Sequence, residues 1–180
     1  MSYQQQGFPQ QAQNLDQGGQ APAPARTNPA TAIIAAVLAL GAAVALTIVG
    51  FDFLNAIPEG ASFGDLPAEL KTVLILDFAA ALVLLIGAIL VVARKVAGAI
   101  VVVLGGLAGL TAILIVPVLA EIEFSAYLEA MFKFGDKGAT MSALALILSP
   151  LALIVALLPP TLRHLRGSAD AGYSETQPTW

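Results

Sequence analysis

The feature that most constrains this chain is an apolar stretch from Phe78 to Ala120, in which Arg94 and Lys95 are the only charged residues. The stretch is about twice as long as the ~20 residues that one membrane-spanning helix needs. A single helix of that length would leave the bilayer, so the chain must fold back at the two charged residues. The stretch therefore predicts two consecutive spans joined by a short basic turn.

Two more apolar runs complete the pattern. One follows Asn28-Pro29, and the other ends at Pro159-Pro160, where proline withholds backbone donors. The predicted spans are residues 30–51, 68–93, 96–119 and 140–158. Charged residues make up 11% of the chain, whereas soluble domains carry roughly a quarter. We predict an all-α membrane protein: a four-transmembrane-helix bundle formed by residues 29–160, with a disordered N-terminal tail.

The two ends of the chain are polar. Residues 1–28 are rich in Gln, Pro, Gly and Ala, a composition that buries too little apolar surface to offset the entropy of ordering. We predict that this segment is a disordered cytoplasmic tail. It is not expected to be a cleavable signal peptide, because the apolar run begins only after Arg26. Residues 161–180 are predicted to form a short cytoplasmic tail.

The distribution of Lys and Arg predicts the orientation of the spans. The basic residues near the ends of short loops collect on the cytoplasmic side of a membrane. One side of the predicted bundle carries Arg26, Arg94, Lys95, Arg163 and Arg166. The other side carries three lysines and most of the acids. We therefore expect a multi-pass protein of the cell (inner) membrane with both termini in the cytoplasm and acidic loops outside.

Several function classes are excluded by composition. A net charge of −4 argues against a nucleic-acid partner, which would need a basic stripe. The absence of cysteine removes thiolate metal sites and thiol nucleophiles. The motifs of catalytic, metal-binding or phosphate-binding sites are missing, so we expect no enzymatic activity, no metal and no cofactor. The expected partners are the lipid bilayer and either a membrane protein or a second copy of the chain.

Asp77 is the one ionisable residue deep inside a predicted span, and such a residue is by default a functional hypothesis. It lies ~10 Å from the outer end of its span at 1.5 Å per residue. Thr47, Thr111 and Ser149 lie at comparable depths in the other spans. The four residues could form one polar layer. Asp77 then either binds a proton or cation, or fixes helix pairing through hydrogen bonds.

Small residues recur every fourth position on two spans. Ala35, Ala39 and Ala43 form such a stripe on the first span, and Gly105 and Gly109 form one on the third. These stripes let helix backbones approach closely in a membrane. They are predicted to serve packing inside the bundle, with a partner's helix as the alternative.

The second outer loop predicts a short amphipathic helix. Phe124, Tyr127, Leu128, Met131 and Phe132 recur at helical spacing. Glu129 and Lys133 form an i,i+4 pair on the other side. We predict a helix that lies on the membrane surface or caps the bundle, with docking of a partner outside the cell as the alternative. Pro117, near the end of the third span, is expected to free a backbone carbonyl that a neighbour must satisfy.

The opening segment Met-Ser-Tyr-Gln-Gln-Gln-Gly-Phe-Pro-Gln, joined to spans of Ala, Val, Leu and Gly, resembles small four-span inner-membrane proteins of actinobacteria. This resemblance is one of composition, and it implies a cell-membrane location but no activity. The low polar content favours a non-enzymatic accessory or scaffold subunit of a membrane complex. The alternative is a small proton- or cation-coupled transporter or channel that acts as a homo-oligomer through Asp77.

Overall fold

A computed structural model of the protein describes residues 29–58 and 62–170, with side chains as far as Leu165. The predicted disordered tail, with Arg26 and Asn28, lies outside these residues, as do Glu59, the side chain of Arg166 and residues 171–180. Helices and turns make up the described part, which contains no strand. The helices are α1 (Ala30–Asn55), α2 (Ala68–Val92), α3 (Val96–Leu119), α4 (Phe124–Phe132), α5 (Lys137–Leu157) and α6 (Pro159–Asp170).

Four of these helices, α1, α2, α3 and α5, are long and apolar enough to cross a membrane. This confirms the predicted four-helix membrane fold. The helices form a ring in which α2 packs against α3, α3 against α5, α5 against α1, and α1 against α2. We call the end of the ring at Asn55, Ala68 and Leu119 the acidic end, and the end at Arg94 and Lys95 the basic end.

The turn between α2 and α3 lies where the sequence predicts it. Arg94 takes a left-handed conformation with φ 58°. The amide of Lys95 donates to the carbonyl of Leu90 at 2.9 Å, and the amide of Arg94 donates to the carbonyl of Val91 at 3.0 Å. This pair of hydrogen bonds is the Schellman motif, which satisfies the last carbonyls of a helix. Only three residues therefore separate the two helices.

The interior of the ring is built from small residues. Ala35, Ala39, Ala43, Gly105 and Gly109 are all buried within the single chain. The two stripes are thus used in packing between the helices of the bundle, as the first interpretation of their spacing predicts. The large aliphatic side chains of the spans point mainly outward, toward the lipid of a membrane.

The last described helix, α6, is not predicted from the sequence. Pro159 lies at its first position, where a proline is tolerated because the amide would be unpaired anyway. Thr161 donates to the carbonyl of Val155 at 2.8 Å, the carbonyl that Pro159 leaves without its usual helical donor. Leu165 is fully buried and His164 is largely buried. The segment therefore folds back on α1, α3 and α5.

At the acidic end, an ion pair joins the end of α1 to the start of α5. The ammonium group of Lys137 lies 3.1 Å from the carboxylate of Asp52. The side chain of Asp136 caps α5 by accepting a hydrogen bond from the amide of Ala139 at 2.7 Å. These contacts explain why α1 runs four residues beyond its predicted end and why α5 begins three residues earlier than predicted.

Candidate functional site

A cavity of 590 Å³ opens between the helices at the acidic end of the bundle. All four long helices contribute to its wall, and α4 lies beside it as a partial cover. Most of the wall is aliphatic. Representative lining residues are Val49, Leu70, Val73, Ile113, Val116 and Met131.

Asp77 lines this cavity from α2. The residue is only 5% exposed, and no side chain or backbone group in the described residues forms a hydrogen bond or an ion pair with its carboxyl group. A buried carboxyl group without a partner is costly. Asp77 is therefore the group in this cavity that no described protein group satisfies, and its carboxyl oxygens are left to water or to a ligand.

The wall of the cavity is acidic. Glu69 and Asp136 line it together with Asp77, and no Lys, Arg or His is among the described residues of the wall. The three lysines near the acidic end make other contacts. The Lys71 ammonium donates to the carbonyl of Gly64 at 2.7 Å, while Lys133 and Lys137 pair with Glu129 and Asp52 at 2.8 Å and 3.1 Å. The cavity therefore favours positive charge.

The short helix α4 spans the residues that the hydrophobic spacing predicts, Phe124–Phe132, and the predicted pair of Glu129 and Lys133 is formed. Its apolar side chains divide between two directions. Tyr127 and Met131 turn toward the cavity, whereas Phe124 and Phe132 are exposed. The helix therefore caps the bundle and also presents aromatic rings on its outer side.

Tyr127 attaches α4 to the spans. Its hydroxyl group donates to the carbonyl of Ile113 at 3.2 Å. This carbonyl lies four residues before Pro117, which has no N–H to offer it. Burial, and to a lesser extent the negative charge of Asp77, raises the pKa of Tyr127 to about 12, so the phenol keeps its proton at any physiological pH.

The predicted polar layer does not surround one cavity. Thr47 donates to the carbonyl of Ala43 at 2.8 Å and lines a separate groove between α1 and α2. Thr111 is exposed and donates to the carbonyl of Leu107 at 2.9 Å. Ser149 is fully buried without a hydrogen-bond partner, but it does not line the cavity. Residues at the same depth on the four helices thus do not all face the same cavity. Of the four predicted residues, only Asp77 lines this site.

Below the cavity, the interior of the bundle is closely packed. Leu46, Ala80 and Ser149 have no exposed surface and Gly109 is buried beside them. A methyl group placed on Gly109 would lie 3.0 Å from Cδ1 of Leu46 and 3.3 Å from Oγ of Ser149. The cavity therefore opens toward the acidic end and does not continue to the basic end.

Tyr127, Ser142, Glu69 and Asp136 contribute polar groups to the wall but were not predicted as site residues. Of their contacts, only one has an indication in the sequence: Pro117 predicts a freed backbone carbonyl that needs a donor. Nothing in the local sequence indicates that Tyr127 supplies that donor from the next helix. Such a contact depends on how the helices are rotated in the bundle.

No group of three or more His, Cys, Asp or Glu side chains that could hold a metal ion occurs in the part of the chain that the structure describes. Comparisons of this chain with protein-family models, with curated proteins and with solved structures find no match.

Proposed function

We propose that this chain is a non-enzymatic multi-pass protein of the cell membrane that binds a small ligand arriving from outside the cell. The observation that carries the proposal is the cavity at the acidic end, with the unpartnered carboxyl group of Asp77 in its wall. A volume of 590 Å³ falls in the range of ~300–1,000 Å³ that is usual for small-molecule sites. Such sites combine a mostly apolar wall with a few polar groups, as this one does.

The proposed direction of access depends on the orientation of the bundle. Arg94 and Lys95 lie at the basic end, and Arg163 follows α5 at the same end. The positive-inside rule then supports a cytoplasmic location for this end and for both termini. In that orientation, the cavity opens to the outer surface.

Single-cysteine labelling of intact cells tests access and orientation together, because the chain has no native cysteine. We expect Ser142→Cys, in the cavity wall, to react with a membrane-impermeant methanethiosulfonate reagent added outside. A cationic reagent should react faster than an anionic one, because the wall is acidic. Ser62→Cys and Ser125→Cys should also react from outside, whereas Ser168→Cys should react only after the cells are opened.

Thr111→Cys is the matched control for this series, because Thr111 lies in a span but faces away from the cavity. It should stay unlabelled from either side. Labelling of Ser168→Cys in intact cells would reverse the orientation. If Ser142→Cys stays as unlabelled as Thr111→Cys, water does not enter the proposed cavity.

Coupled transport of a proton or cation is the second candidate, and the unpartnered carboxyl group of Asp77 is the observation that favours it. Transport would need a second conformation in which the packed layer of Leu46, Gly109 and Ser149 opens toward the basic end. If the protein transports, Asp77→Asn should abolish flux into proteoliposomes while assembly is kept. Flux that survives in Asp77→Asn would rule out Asp77 as the coupling site.

The accessory or scaffold role expected from the low polar content has fewer surfaces through which to act, since both small-residue stripes are used inside the bundle. The exposed rings of Phe124 and Phe132 on α4 are the surface that supports such a role. They equally fit the interface of a membrane, where aromatic rings are enriched.

A further inference from the structure

We propose that the ligand of this cavity is a lipophilic amine: an apolar body that carries one protonated nitrogen with at least one N–H, which donates to the carboxylate of Asp77. The inference rests on the proposed binding function and names the chemistry that the site selects. It is carried by three features of the cavity, namely the hydrogen-bonding state of Asp77, the charge of the wall and the apolar character of the rest.

The first feature is the unmet hydrogen-bonding need of Asp77. An ionised carboxylate has about four lone-pair sites and can only accept. The phenol in the cavity wall, Tyr127, donates its proton to the carbonyl of Ile113, and no described residue donates to Asp77. The donor must therefore come from water or from a ligand, and a ligand with a charged N–H is favoured because a charge-assisted N–H···O bond is roughly twice as strong as a neutral one.

The second feature is the sign and the number of the charges. Glu69 and Asp136 stand in the same wall without a basic residue, so an anionic ligand would be repelled. Asp136 already accepts a hydrogen bond from the amide of Ala139, and Glu69 is exposed at the start of α2. Only Asp77 is deeply buried without a partner, so the buried part of the cavity matches one positive charge and not several.

The third feature is the aliphatic wall around Asp77. Leu74, Ile113 and Val116 line the cavity on neighbouring helices, and burying apolar surface against them contributes roughly 25 cal/mol per Å². A hydrated metal ion or a small polar cation would gain nothing from this wall. An amine with an aryl or alkyl body gains both the ion pair and the apolar contact.

The test is equilibrium binding to the full chain in nanodiscs of zwitterionic phosphatidylcholine, which carries no net charge to attract amines. The probes are 4-phenylbutylamine and the nearly isosteric neutral alcohol 4-phenylbutan-1-ol, measured by isothermal titration calorimetry. We expect the amine to bind at least tenfold more tightly than the alcohol. Asp77→Asn should remove that preference, since a hydrogen bond to a charged group contributes ~1.5–3 kcal/mol, or roughly tenfold or more in affinity.

Two further variants make the test specific. Asp65→Asn is the matched control, because Asp65 is an exposed acid near the acidic end whose carboxylate accepts from Ser62 and which does not line the cavity; binding should stay within twofold. Ala130→Trp adds a large ring to the wall and should lower the affinity for both probes. Asp77→Glu should keep a preference for the amine, which separates loss of the charge from loss of the fold.

The outcomes separate the two proposals. If both probes bind with equal affinity and Ala130→Trp lowers both affinities, the cavity binds ligands but the amine inference is overturned. If Ala130→Trp changes neither affinity, the proposed binding function fails as well. Should Asp77→Asn not assemble, the comparison of amine with alcohol on the unmodified protein still decides the inference.

Discussion

Gly98→Ala is expected to be the most destabilising single-methyl substitution in the membrane domain. Gly98 lies in the first turn of α3, where α3 approaches α2 just after the turn at Arg94. A methyl group there would lie 2.5 Å from the backbone nitrogen of Val91 and 2.7 Å from the carbonyl carbon of Leu90. Backbone atoms cannot move aside as the end of a flexible side chain can, so the two helices would have to separate.

Overpacking of this kind typically costs ~1–3 kcal/mol and occasionally more, and we expect the upper part of that range. The melting temperature in mild detergent, measured by circular dichroism during heating, reports the effect. Gly41→Ala is the control, because a methyl group at Gly41 would meet only Cδ1 of Leu148, at 3.2 Å. If the two variants melt at the same temperature, the close approach of α2 and α3 at Gly98 is not a constraint.

Tyr127→Phe is expected to release α4 from the spans. The substitution removes the hydroxyl group that donates to the carbonyl of Ile113 and leaves that partly buried carbonyl without a donor, which costs ~1–3 kcal/mol. The loss should appear as a lower melting temperature and as faster proteolysis within α4.

Pro117→Ala provides a double-mutant test of the reason for this effect. Alanine at position 117 restores the N–H that a helix normally supplies to the carbonyl of Ile113. Tyr127→Phe should therefore cost less in the Pro117→Ala background than in the unmodified protein. Equal cost in both backgrounds would show that Tyr127 stabilises α4 through packing and not through this hydrogen bond.

The number of long helices and the place of the α2–α3 turn were predictable because both follow from how much apolar chain a bilayer can hold. The span of α4 was predictable from the spacing of its apolar residues. The helix α6 was not, because Pro159-Pro160 terminates one helix and is also compatible with the first turn of the next. Which use applies depends on whether Leu165 finds a surface to pack on, and that surface is formed by distant segments.

The site was predictable only through Asp77. An acid in an apolar span is visible in the sequence because its burial is costly. The other members of the predicted layer failed for a common reason: position along a helix gives depth, but rotation about the helix axis decides facing. Thr111 therefore points outward, while Tyr127 and Ser142 reach the cavity without any local pattern that marks them.

The three-residue turn at Arg94 also bears on how the chain is made. A turn of three residues keeps α2 and α3 antiparallel, so the direction in which one span crosses the bilayer fixes the direction of the other. In the proposed orientation, Arg94 and Lys95 then never cross the membrane. A chain inserted the opposite way round would have to carry both charges across it. The tight turn thus ties the directions of two spans to a single choice, and its two charges favour the choice that leaves them in the cytoplasm.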